Sequence, residues 1–170
     1  AGATKRAVLL SNGDGTCVDR TGFRVRFNPS YVEAGAFDND GDLDLASTGS
    51  RFCSVILNNG DGTFGEAREF PVGQIPFSVV TVDFDSDDRL DLITANEAAG
   101  NVSVLLGNGD GTFGVAQQYD AGLGLRYSLP ADLDPDGDPD LVTTDREGQT
   151  LSVPYLQSAP AAPASVAAFC

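Results

Sequence analysis

Short apolar runs punctuated by turn-forming residues fill the chain, and no stretch of useful length carries a helical period. In the middle of the chain, Phe77–Asp83, Leu90–Ala95, Asn101–Leu106 and Gln117–Ala121 each predict a strand. Val, Ile, Leu, Thr and Phe dominate these runs, while Gly, Asn, Asp and Pro collect between them. Near the N-terminus Ala7–Ser11 and about Phe23–Phe27 predict two strands. Towards the other end Tyr127–Asp132, Leu141–Thr144 and Leu151–Leu156 predict three. Beyond Gln157 the pattern stops. Residues 158–170 are rich in Ala and Pro and read as a linker or as an arm that docks through Phe169 and Cys170. The expected organisation is an all-β domain over 1–157 followed by this tail.

Self-comparison shows that the strands come in units. Val8-Leu9-Leu10-Ser11-Asn12-Gly13-Asp14-Gly15-Thr16-Cys17 matches Val55-Ile56-Leu57-Asn58-Asn59-Gly60-Asp61-Gly62-Thr63-Phe64. Both match Val104-Leu105-Leu106-Gly107-Asn108-Gly109-Asp110-Gly111-Thr112-Phe113. A degraded copy starts at Ser152. The period is about 48 residues, within the range of propeller blades. Each unit predicts four strands, with the Asn-Gly-Asp-Gly segment as a tight turn between the third and fourth. The chain supplies strands three and four of one unit, two whole units, then strands one and two of another with a candidate third. That makes about three four-stranded blades of β-propeller type, incomplete at both termini. Known propellers have four or more, so edge strands would be left for pairing with neighbouring copies.

Interleaved with the turns are three acidic loops. They are Ala36-Phe37-Asp38-Asn39-Asp40-Gly41-Asp42-Leu43-Asp44, Asp83-Phe84-Asp85-Ser86-Asp87-Asp88-Arg89-Leu90-Asp91 and Asp132-Leu133-Asp134-Pro135-Asp136-Gly137-Asp138-Pro139-Asp140. Carboxylates this crowded repel one another. Alternate residues of an extended turn point to one side, so several carboxylates can converge on one hard ion. A high count of oxygen ligands favours Ca²⁺ over Mg²⁺. The alternative is a solvated acidic turn. The aspartates of the Asn-Gly-Asp-Gly turns, Asp14, Asp61 and Asp110, need no ion, because a hairpin requires that composition by itself. Tyr31, Phe77 and Tyr127, at the starts of first strands, are expected to pack between units rather than to present sugar platforms.

Composition narrows the function. Lys and Arg total 10 against 25 Asp and Glu, a net charge of −15. Such a chain has no basic surface to replace phosphate counterions, which argues against nucleic acid. No histidine is present, which removes the commonest general base and zinc ligand. An enzyme is not expected: a catalytic group usually appears once, whereas these carboxylates recur in every unit. No apolar run approaches the roughly 20 residues of a membrane span. Methionine is absent even at position 1, so a processed or partial chain is expected. The cysteines are Cys17, Cys53 and Cys170. A Cys17–Cys53 bridge is expected if the chain is extracellular, with Cys170 unpaired or bonded to another chain; the alternative is three free thiols. Asn101-Val102-Ser103 is a glycosylation sequon, whereas Asn28-Pro29-Ser30 is excluded by its proline.

The alternation of Asp-x-Asp-x-Asp-Gly-x-x-Asp and a following Leu-Val/Ile with Asn-Gly-Asp-Gly-Thr-Phe-Gly resembles the FG-GAP/VCBS repeat family, which includes the integrin α-subunit propeller. The likeness spans roughly residues 7–157. It implies calcium in the loop joining strands one and two, held by side chains at loop positions one, three, five and nine and a carbonyl at seven. The implied ligands are Asp132, Asp134, Asp136 and Asp140 with the Asp138 carbonyl, and Asp83, Asp85, Asp87 and Asp91 with the Arg89 carbonyl. In the first loop they are Asp38, Asp40 and Asp44 with the Asp42 carbonyl. Ala36 stands at position one there, so that site is expected to be the weakest. Asp88 replaces the usual glycine, at a position expected to favour positive φ. The resulting expectation is a calcium-binding extracellular structural or adhesive protein that self-assembles into a ring or filament by strand complementation. A propeller lectin that takes a glycan, or a piece of a larger propeller facing a cell-surface protein, are the alternatives.

Overall fold

The computed structural model describes residues 4–8, 13, 14, 16, 21–25, 28–134, 137–146 and 151–152. Among them every regular element is a strand. In chain order these are β1 (Thr4–Val8), β2 (Thr21–Val25), β3 (Pro29–Gly35), β4 (Asp44–Gly49), β5 (Phe52–Ile56), β6 (Arg68–Pro71), β7 (Pro76–Val82), β8 (Asp91–Asn96), β9 (Asn101–Leu105), β10 (Gln117–Asp120), β11 (Leu125–Ala131), β12 (Asp140–Asp145) and β13 (Leu151–Ser152). Each strand pairs antiparallel with its sequence neighbour in four sheets: β1-β2, β3-β4-β5-β6, β7-β8-β9-β10 and β11-β12-β13. The two middle sheets are the four-stranded units that the repeat predicts.

The N-terminal hairpin differs from expectation in its bounds. Thr4 pairs with Val25 and Val8 with Thr21, so β1 starts before the apolar run and takes in Thr4, Lys5 and Arg6. Main-chain pairing, not apolarity, sets where that strand begins. Residues 9–11, 26–27 and 153–157, and the tail at 158–170, lie outside the described residues.

The sheet β7–β10 is covered on both faces, which explains why β8 and β9 read as near-continuous buried runs. Leu92 and Leu105 join Phe37, Val55 and Phe113 in the core shared with β3–β6. Ile93, Ala95, Val102 and Val104 join Leu125 and Leu141 in the core shared with β11–β13. Full burial of such a side chain is worth about 1.5–3 kcal/mol. The phenylalanine of the second Asn-Gly-Asp-Gly-Thr-Phe segment is the wedge of the first core. Phe113 meets Phe37 edge-on at 5.6 Å and Phe70 at 5.2 Å. Its counterpart Phe64 is only half-buried, in a small cluster with Leu45, Ile56 and Ala67.

First strands lie next to first strands, with β7 between β3 and β11. Their aromatic residues pack as expected: Tyr127 meets Phe77 at 5.6 Å and Tyr31 at 6.2 Å. The Arg126 guanidinium stacks 4.2 Å over Phe77 and pairs with Glu97 at 2.6 Å. Main-chain bonds also join the sheets. The Ile75 N–H donates to Ser50 O and the Glu97 N–H to Ile75 O, both at 2.9 Å. Gly124 repeats the pattern one unit later with Glu97 and Arg146. The position demands positive φ, 80° at Gly124 and 52° at Ile75. A β-branched side chain is strained there by about 1–2 kcal/mol, and the two hydrogen bonds hold it in place.

Two expectations concern residues buried in this fold. Cys53 is a free thiol, fully buried among Ala46, Val55 and Val72. It does not form the bridge expected with Cys17, which lies outside the described residues. Burial pushes the Cys53 thiol up to about 12, so it stays a neutral, apolar-packing group. Asn101, the sequon asparagine, is 9% exposed. Its Oδ1 accepts from Asn96 Nδ2 at 2.9 Å and its Nδ2 donates to Gln118 Oε1 at 3.0 Å. The same Asn96 also reaches Ser103 Oγ at 2.8 Å. An amide enclosed and bonded in this way opposes a glycan at Asn101.

The wedge geometry predicts that Phe113→Ala destabilises the fold by about 3–5 kcal/mol in urea unfolding, and that Phe64→Ala costs less than half as much. Equal losses would contradict the assignment of Phe113 as the element that locks the two four-stranded sheets.

Candidate metal centre

Each acidic loop joins the first and second strands of its sheet: 36–44 between β3 and β4, 83–91 between β7 and β8, and 132–140 between β11 and β12. The loops turn sharply through left-handed residues. Asn39 (φ 61°) and Gly41 (94°) turn the first, Ser86 (60°) and Asp88 (65°) the second, and Gly137 (88°) the third. Asp88 thus adopts the backbone of the glycine it replaces, as expected. Asn and Asp tolerate this region better than most residues.

The last aspartate of each loop opens the second strand and is a structural clamp. Asp44 accepts the Phe37 N–H on Oδ2 and the Asn58 N–H on Oδ1, both at 2.8 Å. Asp91 accepts the Phe84 N–H on Oδ2 at 2.8 Å and the Gly107 N–H on Oδ1 at 2.7 Å. Asp140 accepts the Leu133 N–H at 3.0 Å. Asp44 and Asp91 are completely buried. Each ties position two of its loop to the start of the Asn-Gly-Asp-Gly turn. Sequence reasoning treated these residues only as ligands and missed the clamp.

Position seven also meets the turn. Asp42 Oδ2 lies 2.5 Å from where a Cβ would stand on Gly60, and Arg89 Cδ lies 3.2 Å from the same point on Gly109. These glycines are required both by their positive φ, 77° and 73°, and by that approach. The turn aspartates are occupied by their own threonines. Asp14, Asp61 and Asp110 accept from the N–H of Thr16, Thr63 and Thr112, each at 2.9 Å, and from their hydroxyls at 2.6, 2.5 and 2.5 Å. These bonds hold the three carboxyls below the usual range. They are turn-builders, as their composition suggests.

Three carboxylates converge in two of the loops. One oxygen from each of Asp83, Asp85 and Asp91 lies within 4.8 Å of the others, and the same holds for Asp132, Asp134 and Asp140. Ligands at 2.3–2.6 Å from one ion can stand no more than about 5 Å apart, so both groups fit a calcium ion. Asp83 is positioned by accepting the N–H groups of Asp87 at 3.0 Å and Asp88 at 2.9 Å. Asp87, expected as a ligand, is not in the group; it pairs with Arg89 Nη1 at 2.9 Å. Asp136 lies outside the described residues. Asp138, expected to offer its carbonyl, is exposed.

The first loop is different. Among the described residues no three-carboxylate group forms there. Asp38 and Asp40 accept the N–H groups of Asp40 at 3.3 Å and Asp42 at 2.8 Å. This loop is tied instead to the next sheet's turn: Gly111 N–H donates to Phe37 O at 2.9 Å and Asn39 Nδ2 to Gly109 O at 3.3 Å.

The cost of crowding is visible in the proton affinities. Burial, then Asp87 and Asp83, hold the Asp85 carboxyl above its usual range. Burial also raises Asp91 and Asp44. The clamped N–H groups oppose that rise, and neighbouring aspartates add to it. A divalent cation would remove the repulsion.

A family model described as FG-GAP-like repeat matches residues 37–94 and 83–143. Together the matches run from the first acidic loop through the third, more than half of the chain. No curated protein matches the chain significantly.

The clamp and the ligand roles separate by mutation in the absence of calcium. In EGTA, Asp91→Asn loses an acceptor for a buried N–H and is expected to cost about 2 kcal/mol in urea unfolding. Asp85→Asn, which removes only a repelling charge, is expected to cost nothing. Equal losses would contradict the division.

Proposed function

The chain belongs to the FG-GAP-like repeat family, and from that premise we propose that it is a calcium-binding, extracellular structural or adhesive protein, not an enzyme. The observation that carries this reading is the convergence of Asp83, Asp85 and Asp91, and of Asp132, Asp134 and Asp140, within 4.8 Å. Repeats of this family often bind calcium and are typical of extracellular or surface proteins. Bound calcium would neutralise the carboxylates of each loop. Asp91 and Asp140 would hold it at the start of a strand, so that ion, loop and sheet stiffen together. In this reading the four-stranded sheets are propeller blades stacked through first strands and phenylalanine wedges. Among the described residues no helix is long and apolar enough to cross a membrane.

Self-assembly belongs to the same proposal. Position two of the first loop, Phe37, is buried under the next sheet, whereas its third-loop equivalent Leu133 is 55% exposed. Tyr127 and Leu129 share a face of β11 at 49% and 62% exposure. A sheet from a second copy would cover this surface as β7–β10 covers Phe37, giving a ring or a filament according to whether the rotation closes. The lectin reading has less support. The groove of about 350 Å³ between the four-stranded sheets is lined by Phe70, Val72, Leu105, Phe113 and Val115, with Gln118 at its edge. That lining is apolar where a sugar needs hydrogen-bonding groups.

Saturating calcium is expected to raise the melting temperature by about 5–10 °C over EGTA. The rise should shrink as pH falls from about 7 to about 4.5. Asp85 and Asp91 have raised pKa values, so the ion-free fold holds their protons at higher pH than ordinary carboxylates would. Falling pH therefore favours the ion-free fold over the ion-bound one. An unchanged melting temperature in EGTA would sink the calcium reading. Sedimentation in calcium tests assembly separately: the chain should run larger than a monomer and Leu129→Asp should dissociate it, whereas a sharp wild-type monomer would oppose self-assembly and leave calcium untouched.

A further inference from the structure

The second and third loops bring the same trio of carboxylates together, yet they differ at position seven. Arg89 stands there in the second loop and Asp138 in the third, and no other Lys or Arg occurs in any of the three acidic loops. Arg89 is engaged at three points. Its Nη1 lies 2.9 Å from Asp87 Oδ2, its own N–H donates to Asp87 Oδ1 at 3.0 Å, and its side-chain stem rests against Gly109 of the turn. The guanidinium is thus held from both ends, by the carboxylate and by the glycine that leaves room for its stem. Asp87 pairs with this partner and is not one of the trio of Asp83, Asp85 and Asp91, while its carboxylate also reaches that of Asp85.

We propose that Arg89 is the affinity-setting residue of the second loop: a resident counter-cation that occupies Asp87 and must release it before the loop can close around a divalent ion. This inference rests on the calcium reading above. Two effects act in the same direction. The ion competes with the guanidinium for Asp87, and a positive charge two residues from that ligand repels the incoming ion. A half-exposed ion pair is weak by itself and screened by solvent, so the device tunes the site without closing it. The third loop has an acidic residue in the same place and therefore fills first as calcium rises. The second loop fills at higher concentration, and its filling frees the Arg89 guanidinium beside the Asn-Gly-Asp-Gly turn.

Calcium titration calorimetry on the full chain tests this, with Asp134→Asn present throughout so that the second loop supplies the main signal. Arg89→Gln should tighten binding about three- to tenfold, and Arg89→Lys should stay within about twofold of its parent. An Arg89→Gln protein that binds no tighter than its parent would overturn the proposal. A second measurement needs no substitution: in the wild-type chain the Arg89 guanidinium NMR resonances should shift when the second loop saturates, and resonances that stay fixed while calcium binds would also overturn it. Absence of calcium binding in every protein would instead defeat the calcium reading, and this inference with it.

Discussion

A buried carboxylate at the first residue of β4 and of β8 is the interaction on which the rest of the repeat depends. Asp91 has no exposed surface, yet both its oxygens are used, one by the loop at Phe84 and one by the turn at Gly107. Asp44 does the same with Phe37 and Asn58. Burying an ion is costly without such donors. With them, a single side chain stitches two loops that are distant in sequence onto one end of the sheet. The wedge phenylalanine follows immediately: Gly107 bridges to Phe113 across the turn, so the clamp that positions Gly107 also aims Phe113 into the core.

The same carboxylate links the fold to its proposed chemistry. Its oxygens carry lone pairs beyond those used by the N–H groups, and it completes the trio with the first and third loop positions. Burial and, to a smaller extent, the neighbouring carboxylates destabilise its charge; the N–H bonds stabilise it. Without an ion the balance leaves Asp85 and Asp91 more basic than ordinary aspartates. A bound divalent ion would reverse that balance, whereas Arg89 pairs only with the neighbouring Asp87. The first loop, with Ala36 in place of a carboxylate and Asn39 bonded to the neighbouring turn, holds its shape by contacts between sheets.

Much of the fold was legible because it is periodic. The recurrence of Asn-Gly-Asp-Gly and of the alternating aspartates marks the units, and the apolar runs between them mark the strands. What escaped was whatever depends on which atoms meet in space. The resemblance implied Asp87 as a ligand, but not that the Arg89 guanidinium would pair with it. The sequon at Asn101 matched its pattern, but the pattern does not reveal the buried Asn96 and the exposed Gln118 that take up both ends of the amide. A Cys17–Cys53 bridge was expected for an extracellular chain, whereas burial of Cys53 in an apolar cluster makes it a packing residue. At the N-terminus the polar Lys5 and Arg6 belong to β1 because the main chain pairs there, which no hydropathy pattern reports.

Amide hydrogen exchange on the full chain, followed in calcium and in EGTA, tests the clamp most directly. The account predicts that the Gly107 and Phe84 N–H groups exchange slowly in both conditions, while the N–H groups of Asp87 and Asp88 become faster once calcium is removed. In Asp91→Asn, which keeps only one acceptor oxygen, protection of one of the pair, Gly107 or Phe84, should be lost even in calcium. If Gly107 and Phe84 in the wild type exchange as rapidly as exposed loop amides, the buried carboxylate is not what holds loop and turn together.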